Sequence, residues 1–447
     1  MQENNDYENE LREGHLKSNT TEPERAFVVG VAIKGARPLL EIRDSLDELK
    51  LLAETAGMEV VGEATQNVAQ IEPSTFIGSG KVDEIKETII AINAQTVIFD
   101  DELSPRHQRE LERRFGENIK VLDRSALILD IFAQHAQTHE GALQVQLAQY
   151  EYRLPRLTRM WTHLARQSGG AGARGGSGGV GLRGPGETQL EVDRREIRHK
   201  ITQLREELEL VRSHRGRHRK QREQTGLPII ALVGYTNAGK STLLNALTGA
   251  DVYIADQLFA TLDPTTRRVT LPSGRQALLS DTVGFIQKLP TTLIAAFRAT
   301  LEEISEATIL LEVVDVNHPN VKEHIETVED TLAELDVPPI PRILVWNKVD
   351  QWGDAPLPEV DTSRYAASVA VSALKKQGIT ELLEQVENAL KASLYEVTLV
   401  IPYDRGDLVS RLHEMASVSE RQHTEAGMEI TVQLPAALYE QFKPYQK

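Results

Sequence analysis

Residues Gly234 to Thr242 read GYTNAGKST, and few stretches of this length restrict a fold so tightly. The apolar run Leu227-Pro228-Ile229-Ile230-Ala231-Leu232-Val233 precedes it, and Leu243-Leu244-Asn245-Ala246-Leu247, spaced like a helix, follows it. The pattern predicts a strand, a glycine loop and a helix. At G-x-x-x-x-G-K-[ST] spacing, backbone N–H groups wrap a phosphate chain beside the positive end of the helix. Lys240 is then aimed at the β/γ oxygens and Ser241 is placed to hold Mg²⁺. Gly234, Tyr235, Thr236, Asn237, Ala238, Gly239, Lys240, Ser241 and Thr242 are therefore the first candidate site. The competing reading is a glycine turn that carries a lysine, and the flanking strand and helix count against it.

A chain of 447 residues is too long for one ordinary core, and about three domains are expected. With 26% charged and 40% hydrophobic residues it has the composition of a soluble globular protein. There is no run of eighteen apolar residues, so no transmembrane helix is expected. Residues 1–25 have no apolar centre of the kind a signal peptide needs and are expected to be a disordered, mainly acidic leader. The absence of cysteine excludes disulfides, thiolate metal sites and cysteine nucleophiles, which fits the cytoplasm. A net charge of −16 argues against bulk attraction to nucleic acid but not against a local basic surface.

Strand-like Ala26 to Ile33, Met58 to Gly62 and Thr96 to Asp100 alternate with helical spacing over Leu39–Ala56 and Lys81–Ala94. This predicts a small parallel α/β domain over residues 26–124. The turn Phe76-Ile77-Gly78-Ser79-Gly80-Lys81 precedes a helix, where it either caps the helix or binds an anion. From Arg124 to Tyr150 the spacing is helical and long, with Arg153, Arg156, Arg159 and Arg166 following among apolar and aromatic residues. A glycine-rich loop, residues 168–187, then precedes a helix from Thr188 to about Gln224. In that helix Leu190, Ile197, Ile201, Leu204, Leu208 and Val211 form an apolar stripe amid arginines that include Arg194, Arg195, Arg198, Arg205, Arg212, Arg215, Arg217, Arg219 and Arg222. Residues 125–226 are accordingly expected to be a basic helical hairpin, with the loop either a flexible linker or an arginine-bearing tip. A basic segment in an acidic chain suits a folded polyanion such as RNA, read by backbone and shape.

Beyond the phosphate loop, Gln276–Ser280 is strand-like and ends in Asp281-Thr282-Val283-Gly284. A carboxylate there suits Mg²⁺ bridging, and Gly284 leaves its N–H open to a γ-phosphate. Ile309–Val314 and Arg342–Trp346 are further buried strands, and the second leads into Asn347-Lys348-Val349-Asp350. Asp350 can accept from guanine N1–H and the 2-amine, a donor pair that adenine lacks, and Asn347 can reach the N7/O6 side. The N–H groups of Ser372-Ala373-Leu374 can meet the guanine O6. These motifs lie in a domain over 227–394. Residues 395–447 are read as a small α/β domain with no catalytic constellation.

Gly234–Ser241, Phe259-Ala260-Thr261-Leu262-Asp263, Asp281–Gly284, Asn347–Asp350 and Ser372–Leu374 resemble the guanine-nucleotide motifs of the translation-factor-related GTPases. Phe76–Lys81, the run Gly179 to Gln189 and the basic helix after it resemble the HflX family in particular. The resemblance implies a Ras-like GTPase domain at the centre of a multidomain α/β chain. It also implies a cytoplasmic GTPase that uses GTP/GDP and Mg²⁺, binds the large ribosomal subunit and its rRNA, and splits stalled or idle ribosomes under stress. Such a protein is expected to be a monomer with peripheral or no membrane contact. By motif, Lys240, Thr261 and Gly284 carry the catalytic roles. Ser241 and Thr261 ligate Mg²⁺, with Thr265 or Thr266 as alternatives to Thr261. The departure is Phe285, where the best-known GTPases place a water-orienting glutamine; slow hydrolysis raised by a partner is expected, the alternative being that another residue near the pocket replaces the glutamine. Two other readings stand beside this one: an ATP-driven RNA remodeller, and a non-hydrolytic regulator gated by nucleotide.

Overall fold

The computed structural model describes residues 23–36, 38–116, 118–157, 185–225, 227–249, 258–259, 265–290, 304–335, 337–353, 355–392, 395–403, 405–415, 417–424, 427–434 and 442–447. Most of the acidic leader, residues 168–184 of the glycine-rich loop, and Ala260, Thr261, Leu262 and Asp263 lie outside the described residues. By contact density the chain divides into two units: residues 1–36 with 42–123, and residues 37–41 with 124–447.

The first unit is built on β1 (Glu24–Ile33), β2 (Met58–Val68), β3 (Thr96–Phe99) and β4 (Lys120–Asp123), in the order β2-β1-β3-β4 with every pair parallel. The helices α1 (Ile42–Thr55), α2 (Ser79–Ala91) and α3 (Pro105–Phe115) connect them, as parallel neighbours require. At Phe76–Lys81 the chain turns into α2: Phe76 is buried in a left-handed conformation, and Gly78, the residue before the helix, donates its N–H to Gln66 Oε1 (3.0 Å). The pair α3 and β4 was not expected from the sequence. Ser104 caps α3 by accepting from His107 N–H (3.2 Å), and Leu111 and Phe115 are its buried residues.

In the second unit the first arm of the hairpin is not one helix but two, α4 (Arg124–His135) and α5 (His139–Arg153). Thr138 between them starts the second by accepting from Gly141 N–H (3.0 Å), a hydroxyl cap. The partner arm is the 41-residue α6 (Pro185–Thr225), which begins inside the expected loop. Its residues Ile201, Leu204 and Leu208 pack with Leu143 and Leu147 of α5, flanked by Ile197 and Val211. That is the stripe read from the sequence, and Arg205 reaches Glu151 (2.7 Å) across it.

The central sheet runs β10-β9-β8-β5-β7-β6, from β5 (Ile229–Val233), β6 (Thr265–Thr270), β7 (Gln276–Asp281), β8 (Ile309–Asp315), β9 (Arg342–Asn347) and β10 (Ala367–Ala370). Only β6 runs antiparallel to its neighbour. One face packs Leu232, Leu311 and Val345 with Leu243 and Leu244 of α7 (Lys240–Thr248) and Leu382 and Val386 of α9 (Ile379–Ala392). The other packs Val314, Leu344 and Trp346 with Val321 and Ile325 of α8 (Val321–Glu334). Covered on both faces, the parallel strands can be apolar runs, which is why the sequence shows them so plainly. The C-terminal sheet is antiparallel, β11-β13-β12, from β11 (Tyr395–Ile401), β12 (Ser417–Thr424) and β13 (Gly427–Leu434). Leu412 of α10 (Gly406–Met415) joins its core.

One carboxyl violates the apolar pattern. Glu312 of β8 is fully buried, and Arg342 Nη1 stands 3.9 Å away. Burial first, and then the charge of Glu329, push it from 4.5 up to about 7, against the pull of Arg342. A carboxyl whose folded value is raised favours the fold below its unfolded value, and that contribution is lost as pH rises through the folded one. We expect Glu312→Gln to remove a loss of stability between about pH 4.5 and 7 and to unfold at higher urea than the parent at pH 8. Urea midpoints at pH 5.5 and 8 measure this.

Candidate nucleotide site

The carboxyl ends of β5, β7, β8, β9 and β10 meet at one edge of the central sheet, where ligands of open α/β sheets bind. The loop Gly234–Gly239 leaves β5 and enters α7 at Lys240. Lys240 is buried and donates to the carbonyls of Gly234 (3.1 Å) and Tyr235 (2.8 Å). Burial pulls its ammonium down to about 8, against the opposing field of Asp281. Added negative charge in this pocket, such as a phosphate, would restore full protonation. Asn237 takes a left-handed conformation, Ala238 is buried, and Thr242 continues α7.

Gly239 is glycine for a steric reason. Its φ is +93°, and a Cβ there would stand 2.3 Å from Asn347 Nδ2. The Asn347 amide passes behind the loop, donating to Ala238 O (2.9 Å), while its Oδ1 accepts from Ala373 N–H (3.0 Å). Asn347 is therefore a buried clamp on three motifs. Its oxygen is committed to backbone, and one Nδ2 proton is left for the base edge proposed from the sequence. Asp350 is half-buried, and its Oδ1 accepts from Ser372 Oγ (2.6 Å), which in turn accepts from Lys375 N–H (3.1 Å). That arrangement fixes Oδ1 of the carboxylate. Val349 N–H donates to Val371 O (3.3 Å), and Leu374 is exposed beside the pocket.

Ser241 Oγ donates to Asp281 Oδ2 (2.7 Å), and Thr282 Oγ1 to Leu232 O (2.6 Å). A hydroxyl against a buried carboxylate is an oxygen donor set of the kind Mg²⁺ takes. Val283 is buried, and Gly284 lies so close to the loop that a Cβ would meet Thr236 Cα at 2.9 Å and Lys240 Nζ at 3.0 Å. Phe285 is buried as well. It donates to Gly234 O (3.1 Å) and accepts from Thr236 N–H (2.8 Å), so its backbone lies beside the phosphate loop like an added strand. Phe259 is buried in a left-handed conformation, with its ring edge-on to Phe132 of α4 (centroids 4.6 Å). Thr261, the threonine expected to ligate Mg²⁺, is not described; Thr265 and Thr266 lie in β6.

Sequence reasoning missed several supporting residues. Tyr235 stacks flat on His324 of α8 (3.7 Å, 3°), which meets His318 at 4.0 Å. Burial, with His318 adding to it, pulls His324 down to about 3, so the stacked ring is neutral. Gln287 N–H donates to the Tyr235 hydroxyl (3.1 Å), and Asp315 and Asn317 reach Lys348. Only the D-x-N after a buried strand could have signalled any of these.

A mostly parallel sheet, wound on both faces, with such a loop at its carboxyl edge defines a P-loop nucleotide-binding domain. Residues 229–348 match the family described as 50S ribosome-binding GTPase. GTP-binding GTPase N-terminal matches 43–133, GTP-binding GTPase Middle Region 135–222 and HflX C-terminal domain 360–441. GTPase HflX of Caldanaerobacter subterraneus subsp. tengcongensis is 44% identical over 422 residues, 94% of each chain. GTPase HflX of Escherichia coli is 44% identical over 394 residues, 88% of this chain and 90% of that one. The solved GDP complex of a Sulfolobus solfataricus GTP-binding protein covers 82% of this chain and 99% of that one, at 22% identity and a TM-score of 0.42. The chain belongs to the HflX family of GTPases, and it is a GTP-hydrolysing enzyme.

Gly239→Ala drives a methyl into the Asn347 amide and breaks its bond to Ala238. We expect a lower melting temperature than the parent, with no upward shift when millimolar GDP is added; thermal melts with and without GDP read both.

Proposed function

We propose that this protein is a GTP-gated factor that binds the large ribosomal subunit and its rRNA, separates stalled or idle ribosomes under stress, and leaves after hydrolysis. It acts in the cytoplasm as a monomer. The observation that carries this reading is the match of residues 229–348 to a family described as 50S ribosome-binding GTPase, in a chain whose base-reading carboxylate is already oriented by Ser372. Among the described residues no helix is long and apolar enough to cross a membrane.

In this reading Asp350 Oδ2 accepts from guanine N1–H and the 2-amine. Lys240 neutralises the β/γ oxygens, and Gly284 N–H meets the γ-phosphate. Ser241 and Thr261 would hold Mg²⁺, with Asp281 bonded to Ser241, and the bound ion would supply charge neutralisation on the phosphates. Hydrolysis by the free protein is slow, because Phe285 is buried, apolar and bonded through its backbone, and has no group to orient water. A ribosomal partner that orders the switches or brings a polar group raises the rate.

The hairpin supplies the RNA contact. Along residues 191–213 of α6, acidic and basic side chains are interspersed, and the basic excess of the wider segment comes from its flanks. Arg195, Arg198 and Lys200 are exposed.

Co-sedimentation with large subunits in GTP, a non-hydrolysable analogue and GDP tests the switch; binding in the first two and release in the third is expected, and equal binding in all three would overturn it. Replacing Arg195, Arg198 and Lys200 with alanine should weaken co-sedimentation several-fold and flatten its salt dependence, with nucleotide binding unaltered. Asp350→Asn exchanges an acceptor for a donor where xanthine carries a carbonyl. GTP affinity should fall by 100-fold or more while XTP affinity rises, as competition against a fluorescent nucleotide would read.

A further inference from the structure

Lys348, the second residue of the base-reading motif, is left-handed, with φ +65° and ψ 29°. A lysine enters that region at a cost, so the surrounding structure must hold it there. The holding groups come from a different strand. β8 ends at Asp315, which lies opposite Asn347 across the sheet, and the chain turns through Val316 and Asn317. Asp315 Oδ2 pairs with Lys348 Nζ at 2.8 Å, and its Oδ1 accepts from Asn317 N–H (3.0 Å) and Nδ2 (3.3 Å). Asn317 Nδ2 also donates to Lys348 O at 2.9 Å, an oxygen that accepts from Gln351 N–H as well (3.0 Å). One carboxylate thus anchors both the head of Lys348 and the amide that grips its carbonyl. The ion pair is about three-quarters shielded from solvent, so it is more than a surface contact.

We infer that Asp315 and Asn317 are positioning residues for guanine recognition: they fix the left-handed turn at Lys348 and thereby aim Asp350, two residues on, at the base. Ser372 orients one oxygen of Asp350 from one side of the motif. Asp315 and Asn317 fix the backbone from the other. The side chain of Lys348, tied to Asp315, is held beside the same pocket rather than free to swing away from it. This role rests on the assignment of Asp350 as the base reader.

The chemistry provides a readout that a merely structural role would not move. Hypoxanthine lacks the 2-amine of guanine, so preference for GDP over IDP measures how well Asp350 is aimed, whereas general damage to the domain weakens both nucleotides alike. Fluorescent GDP and IDP would be titrated against the full chain, against Asp315→Asn and Asn317→Ala, and against Glu329→Gln as a control in the same domain. Both positioning variants should weaken GDP about tenfold and reduce the GDP/IDP preference at least threefold, while the control keeps the parent's values. Equal weakening of GDP and IDP, or no weakening, would overturn the positioning role. If Asp315→Asn does not fold, Asn317→Ala decides alone, because its loss removes one amide and no charge. Equal affinity of the parent for GDP and IDP would sink the base reading itself, and the positioning role with it.

Discussion

The buried amide of Asn347 is the contact on which the nucleotide site depends. A single side chain at the end of β9 donates to the phosphate loop and accepts from the loop at Ala373, so segments over a hundred residues apart in sequence become one object. Each bond is worth only about 1 kcal/mol net, yet leaving either partner unsatisfied in a site this buried costs more than the bond contributes. The glycine at 239 follows from this clamp, since nothing larger fits between loop and amide. The parallel sheet brings loop, carboxylate and base motif to one edge, and the clamp ties the loop to the base motif there.

A second set of contacts joins the phosphate loop to the segment that follows Gly284. Phe285 pairs its backbone with Gly234 and Thr236, and Tyr235 receives Gln287. The Tyr235 ring lies on His324, which burial keeps neutral, so the stack brings no charge to the phosphate loop. In many GTPases the residue after the glycine is free to serve chemistry. Here it is spent on architecture, through two backbone hydrogen bonds to the phosphate loop.

The fold was legible wherever burial on two faces forced continuous apolar runs, as in β5, β8 and β9, and wherever a stripe at helical spacing faced a partner, as in α6. It was not legible at α3 and β4. In α3, Leu111 and Phe115 are the only buried residues among arginines and glutamates, and β4 is four residues long. The break at Thr138 was hidden because apolar spacing continues on both sides of it and only residues 136–138, ending in a hydroxyl cap, separate the two helices. The contiguous motifs were readable because each is a local turn with a fixed residue order. Asp315, Asn317, His318 and His324 were not, since their roles exist only once β8, β9 and α8 are side by side.

The edge-on contact of Phe259 with Phe132 ties a residue of the guanine-nucleotide motifs to a helix outside the residues that match the GTPase family. Both rings are almost wholly shielded from solvent. Moving Phe259 off this seat would wet both rings, a penalty on the order of 2 kcal/mol. The hold on Phe259 is thus written in part in helix α4, so a substitution at Phe132 loosens it while leaving the sequence of every guanine-nucleotide motif intact.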